Sequence, residues 1–160
     1  MDTPVHLSQL AARQFARRQQ EARRQVGLGK IEPRAAEAGL RPWLAIACLC
    51  GADLPELIEP LADRIMMDIS GAPILSESQA RALLAMDICP ARQWAPLLAR
   101  ARDRAIHHAA SFGDPTERWT AIDRDAREAA LTDARALRQI AEALDVHIPF
   151  NPAIPERKAA

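Results

Sequence analysis

Three thiols, Cys48, Cys50 and Cys89, are the strongest nucleophiles this 160-residue chain offers. A thiol enzyme built on Cys89 needs an imidazole as base and a carboxylate to orient it. His108 and Asp133 are the candidates for those roles, because each falls inside an otherwise apolar helical stripe. Both also have local explanations, His108 as a partly buried, satisfied histidine and Asp133 as a helix cap. The chain has no Gly-rich phosphate loop, no G-x-S-x-G and no H-E-x-x-H. A non-enzymatic protein is the expectation. Metal binding finds no better support. On a helix, residues two apart diverge by about 200° and adjacent residues by about 100°. Neither Cys48 with Cys50 nor His107 with His108 can therefore share an ion. No C-x-x-C or H-x-x-x-H spacing occurs, and no metal or cofactor is expected.

Arginine is the more informative residue. The only lysines are Lys30 and Lys158, so nearly every cation is a planar guanidinium suited to carboxylates, phosphates and base edges. Arg13, Arg17 and Arg24 recur at i, i+4 and i+11 and share one face of a first helix. Arg92, Arg100 and Arg104, with His107, mark the exposed side of a later one. Residues 76–107 have the outline of a helix-turn-helix: a short capped helix, a break at Asp87 to Pro90, then a longer helix. Arg81 stands where such a motif wants a small residue, and Pro90 and Pro96 crowd the reading helix. Arg18 lies in the middle of an apolar face, from which it is expected to snorkel to solvent.

Charge is segregated although the formal total is zero. Met1–Arg34 is net +4, Gly51–Cys89 net −5 and Pro90–Phe112 net +3. A neutral total argues against coating nucleic acid through bulk charge, whereas the separate blocks give polarised surfaces that steer partners or favour self-association. The same blocks also suit helices that neutralise one another internally.

The elements that position these residues are helical. Alanine is abundant and aromatics are few (three Trp, three Phe, no Tyr), which favours close helix packing over sheets. The spacing predicts one all-α domain over residues 1–146, a bundle of about six helices, with an extended or disordered Pro-containing tail over 147–160. Val5 to Val26 reads as the first helix. Pro33 to Gly39 reads as a short second one, joined at Pro42 to a central helix. That run, Pro42–Cys50 (PWLAIACLC), is apolar on every side and must be surrounded. Asp53 reads as the cap of a helix with the stripe Leu54, Leu57, Ile58, Leu61, Ala62, Ile65 and Ile69. Ser76 and Gln79 form a capping box opening a helix to about Met86. The next helix carries Trp94, Leu97, Leu98, Ala101, Ala105, Ala109 and Phe112. Asp114-Pro115-Thr116-Glu117 is a further start signal, and the stripe from Trp119 through Ile122 to Leu144 continues from it. Thr132 is a second start if Asp133 breaks that run.

No stretch approaches the apolar length of a membrane span, and the opening residues lack the core of a secretory signal. Three cysteines in apolar context are expected to stay reduced in the cytoplasm. The functional expectation is a small helical protein that binds a protein partner or self-associates through its charged surfaces. Binding of DNA through residues 76–107 and the Arg-rich first helix is the alternative.

Overall fold

The computed structural model describes residues 3–65 and 69–147, and within them it is all-helical, with six helices and no strand. The helices are α1 (Thr3–Gly27), α2 (Pro33–Leu49), α3 (Pro55–Arg64), α4 (Glu77–Ile88), α5 (Ala91–Ser111) and α6 (Ala121–Ala143). The chain forms two compact units, Met1–Trp94 and Ala95–Ala160. Beyond His147, the expected tail lies outside the described residues.

The first unit is built on α2, which packs against α1 and α4, while α3 packs on α4. Ala45, Ile46, Ala47 and Cys48 are completely buried, with Trp43 and Cys50 close to it, while Leu44 and Leu49 are half-buried, so most of the apolar run is enclosed. The expected joint at Pro42 is absent. Proline forfeits one i→i−4 bond, yet Pro33–Leu49 is a single helix with Pro42 inside it. Packing of the continuous helix outweighs that loss. Its C-terminus closes in a Schellman turn, with Gly51 donating to the Cys48 carbonyl and Ala52 to the Ala47 carbonyl. Gly51 takes φ 82°, which a side chain would strain.

Arg81 is buried directly behind that turn, at 6 % exposure. Its Nη1 donates to the carbonyls of Cys48 (3.2 Å) and Ala52 (3.0 Å). Its other nitrogens reach outward to Asp53 (3.1 Å) and Glu77 (3.1 Å). Asp53 is therefore a partner of Arg81 and not the cap of α3; the N-cap position of that helix is Leu54, which provides no side-chain cap. The α3 stripe is also shorter than its sequence pattern. The helix stops at Arg64, Leu57 and Leu61 are buried, and Ile58 and Ile69 are exposed. The capping box of Ser76 and Gln79 forms, and α4 runs on to Ile88.

In the second unit, α6 is one helix through Thr132 and Asp133. Its start is not at Asp114. Thr120 and Asp123 make the capping box instead, because together they satisfy donors at both ends of the first turn. Ile122 is consequently exposed, and the buried stripe begins at Ala130 and continues through Ala134, Leu137, Ile140 and Ala141. The C-terminus of α6 repeats the α2 arrangement: Val146 donates to the Ala141 carbonyl, Asp145 sits at φ 60°, and Arg102 Nη1 donates to the Val146 carbonyl at 3.0 Å.

Replacing Arg81 by Met keeps the volume but leaves the buried Ala52 carbonyl without its donor, so urea unfolding followed by tryptophan fluorescence should show a loss of about 2–3 kcal/mol. Asp53→Asn and Glu77→Gln, whose carboxylates are largely exposed, should each cost less than about 1 kcal/mol. Asp145→Gly relieves a left-handed residue at a helix end and should stabilise the chain by about 0.5–1 kcal/mol in the same assay.

Candidate functional site

The residues that could do thiol chemistry are held apart from that use. Cys48 and Cys50 are in the core, and Cys48 Sγ donates to the Arg81 carbonyl at 3.4 Å. Cys89 is buried at the end of α4, with its Sγ near the Pro90 carbonyl and Gln93 Oε1. Burial pushes all three thiols up, Cys50 to about 12, and nearby Arg41 only partly offsets this at Cys89. His108 does not enter the core. It is exposed on α5 with its ring edge-on to Phe112 at 5.2 Å. Asp133 is half-buried on α6, engaged within the fold. Cys89 belongs to the first unit and the other two to the second. Among the described residues no three His, Cys, Asp or Glu side chains form a metal-sized group, and no helix is long and apolar enough to cross a membrane.

The arginines fall into different settings. Arg13 and Arg17 are exposed on α1, with Arg17 donating to Gln14 Oε1. Arg24 is bound through two nitrogens to Glu21 at 3.0 and 2.7 Å. That contact and Gln25 hold the Glu21 carboxyl down at about 2. The three therefore do not offer three equivalent cations. Arg92 is exposed on the first turn of α5, in the first unit, whereas Arg100 and Arg104 are exposed one turn apart in the second. The break before α5 is two residues, Cys89 and Pro90, where four were expected, because α4 extends through Asp87. Arg18 does not snorkel to solvent. Its guanidinium lies 3.4 Å over the Trp43 ring and donates to the side chain and carbonyl of Gln14, a cation–π contact that settles a charge on an apolar helix face.

A groove of about 490 Å³ lies in the first unit, where four helices contribute. Phe15 of α1 and Leu84 of α4 form its buried floor, while Leu40 and Leu44 of α2, Pro60 of α3 and Ile88 of α4 are half-buried walls. Pro60, inside α3, supplies a wall without a backbone donor. Around the rim stand Glu37, Glu56 and Asp87 against Arg41. Gln19 Nε2 donates to Glu56 at 2.9 Å and ties α1 to α3, and Arg64 pairs with Asp87. The rim is thus acidic, and its floor is apolar.

A smaller cleft of about 390 Å³ in the second unit has the opposite sign. Arg127, Arg135 and Arg138 border it with Asp114 as the opposing acid. Neither concavity is among the residues the sequence patterns pick out. The groove joins residues from four helices that no spacing connects. The cleft had a local signal, three arginines at i, i+8 and i+11 flanking Leu131 and Ala134, which is legible on α6 once the helix is known to be continuous. No family model, characterised protein or solved structure matches this chain.

The burial of the thiols gives a direct test. Burial shields the three thiols from a reagent and disfavours their thiolate forms, the species that attacks. In the folded chain Ellman's reagent should therefore release no rapid colour, and all three thiols should react together once urea unfolds it. A fast stoichiometric reaction at pH 8 would instead identify an activated cysteine.

Proposed function

We propose that this is a non-enzymatic protein-binding module, and that the groove of the first unit takes a partner segment carrying both apolar and basic residues. The observation that carries the reading is the groove itself: an apolar floor of Phe15 and Leu84 under a rim of Glu37, Glu56 and Asp87. Open concave surfaces of this size with an apolar centre and a charged rim are the usual seats of protein recognition. The geometry of four converging helices favours an amphipathic segment, whose apolar side chains fill the floor while its cations meet the rim. Acidic rims raise the association rate of basic partners more than they raise affinity. Three buried reduced thiols suit a cytoplasmic setting.

The test is a tagged full-length chain compared with Leu44→Glu and with Arg13→Glu/Arg17→Glu/Arg24→Glu, each incubated with bacterial lysate with and without nuclease. Circular dichroism melts check that the variants fold. A protein retained by the parent and by the arginine variant, lost by Leu44→Glu and indifferent to nuclease is the expected outcome. Weakening by Leu44→Glu should be about 10-fold or more, since it places a charge in the apolar wall. Retention that survives Leu44→Glu would remove the groove from the reading. Bound material that disappears with nuclease, and falls steeply with salt, would favour nucleic-acid binding.

A further inference from the structure

We propose that the cleft of the second unit is a separate docking groove, of opposite polarity, for an acidic amphipathic helix of a partner protein. Its floor is apolar and shallow. Ala109 and Ala134 are buried and Leu131 is half-buried, so small side chains let a partner backbone approach closely. Along one side run Arg127, Arg135 and Arg138 of α6. They lie within an arc of about 80° and are spread over roughly 16 Å of the helix axis.

That spread selects the occupant. A single carboxylate or phosphate head group is only a few ångströms across and meets one or two of these guanidiniums. A helix with an acidic residue on successive turns repeats about every 5.4 Å and meets all three. The arginines are also available for such pairing. Arg127 Nε is anchored on the Gly113 carbonyl at 3.2 Å, which holds its guanidinium at one end of the cleft. Arg135 has its nearest carboxylate, Glu128, at 4.0 Å, with both side chains about two-thirds exposed (67 % and 64 %). Arg138 makes no ion pair among the described residues. Guanidiniums bind carboxylates bidentately and with fixed direction, so a row of them specifies register as well as sign.

The experiment is a fluorescence-anisotropy titration of the full chain with a fluorescein-labelled synthetic helical peptide of about four turns. The peptide carries leucines on one face and glutamates on the flanking positions of each turn. Saturable binding is expected, weakened by salt and by about 10-fold or more in Arg135→Glu/Arg138→Glu. The Arg135→Lys/Arg138→Lys variant should lie between the parent and the charge reversal. Arg100→Glu/Arg104→Glu should leave binding unchanged. Circular dichroism of each variant establishes that α6 is intact. A scrambled peptide of the same composition that binds equally well would overturn the proposal, since charge alone would then suffice. So would undiminished binding to the charge-reversed variant, or full displacement of the peptide by dodecanoate, which would make the site one for small anionic amphiphiles. Sedimentation velocity supplies the remaining check: a self-associated parent that becomes monomeric in Arg135→Glu/Arg138→Glu would assign the cleft to a second copy of this chain and overturn the partner helix.

Discussion

The first unit depends on one buried guanidinium. The core helix α2 ends inside the protein, and a helix end leaves carbonyls that must be satisfied wherever water is excluded. The Schellman turn at Gly51 accounts for two of them, and Arg81 reaches in from α4 to bond the Cys48 and Ala52 carbonyls. The contact is reciprocal, since the Cys48 thiol donates to the carbonyl of Arg81. A cation at the negative end of the helix macrodipole adds to the attraction. The cost of burying the charge is limited because Asp53 and Glu77, both near the surface, receive its outer nitrogens.

The second unit uses the same device on a smaller scale. Arg102 bonds the Val146 carbonyl, the residue that stands to α6 as Ala52 stands to α2. In each case the helix closes through a left-handed residue and an arginine binds the backbone just beyond it. Arginine serves here because several fixed donors can bridge a carbonyl and a carboxylate at once; Arg102 also contacts Asp103 at 2.9 Å. An arginine-rich composition is thus partly structural. Arg18 on Trp43, Arg81 behind α2 and Arg102 behind α6 are members of the fold. Other arginines, Arg100 and Arg104 among them, are exposed at the surface.

That division clarifies the two concavities. The groove of the first unit and the cleft of the second carry opposite charge over apolar floors. Under the proposed readings, their opposite signs would direct them to different partner segments, because a like charge placed across either rim is repelled. The acidic block of Gly51–Cys89 supplies Glu56 and Asp87 to one rim, so the charge segregation visible along the chain does become a local surface property there.

The sequence by itself determined the helical class, the burial of most of Pro42–Cys50 and the capping box at Ser76. Each follows from local chemistry: alanine-rich periodicity, a run with no polar face, and a side chain three residues from the donor it satisfies. It also marked Arg18 as out of pattern without revealing Trp43 as its seat. Tertiary structure decided the rest. Whether Pro42 breaks a helix depends on how much packing rewards continuity, and here α2 packs against both α1 and α4. Whether Asp53 caps α3 depends on a competing arginine 28 residues away. Asp114-Pro115-Thr116-Glu117 reads as a start, yet the capping box that forms is that of Thr120 and Asp123. Spacing along one helix places side chains on a face, but grooves, buried cations and thiol burial arise where several helices meet. Those meetings are set by packing between distant residues, which no single stretch of sequence contains.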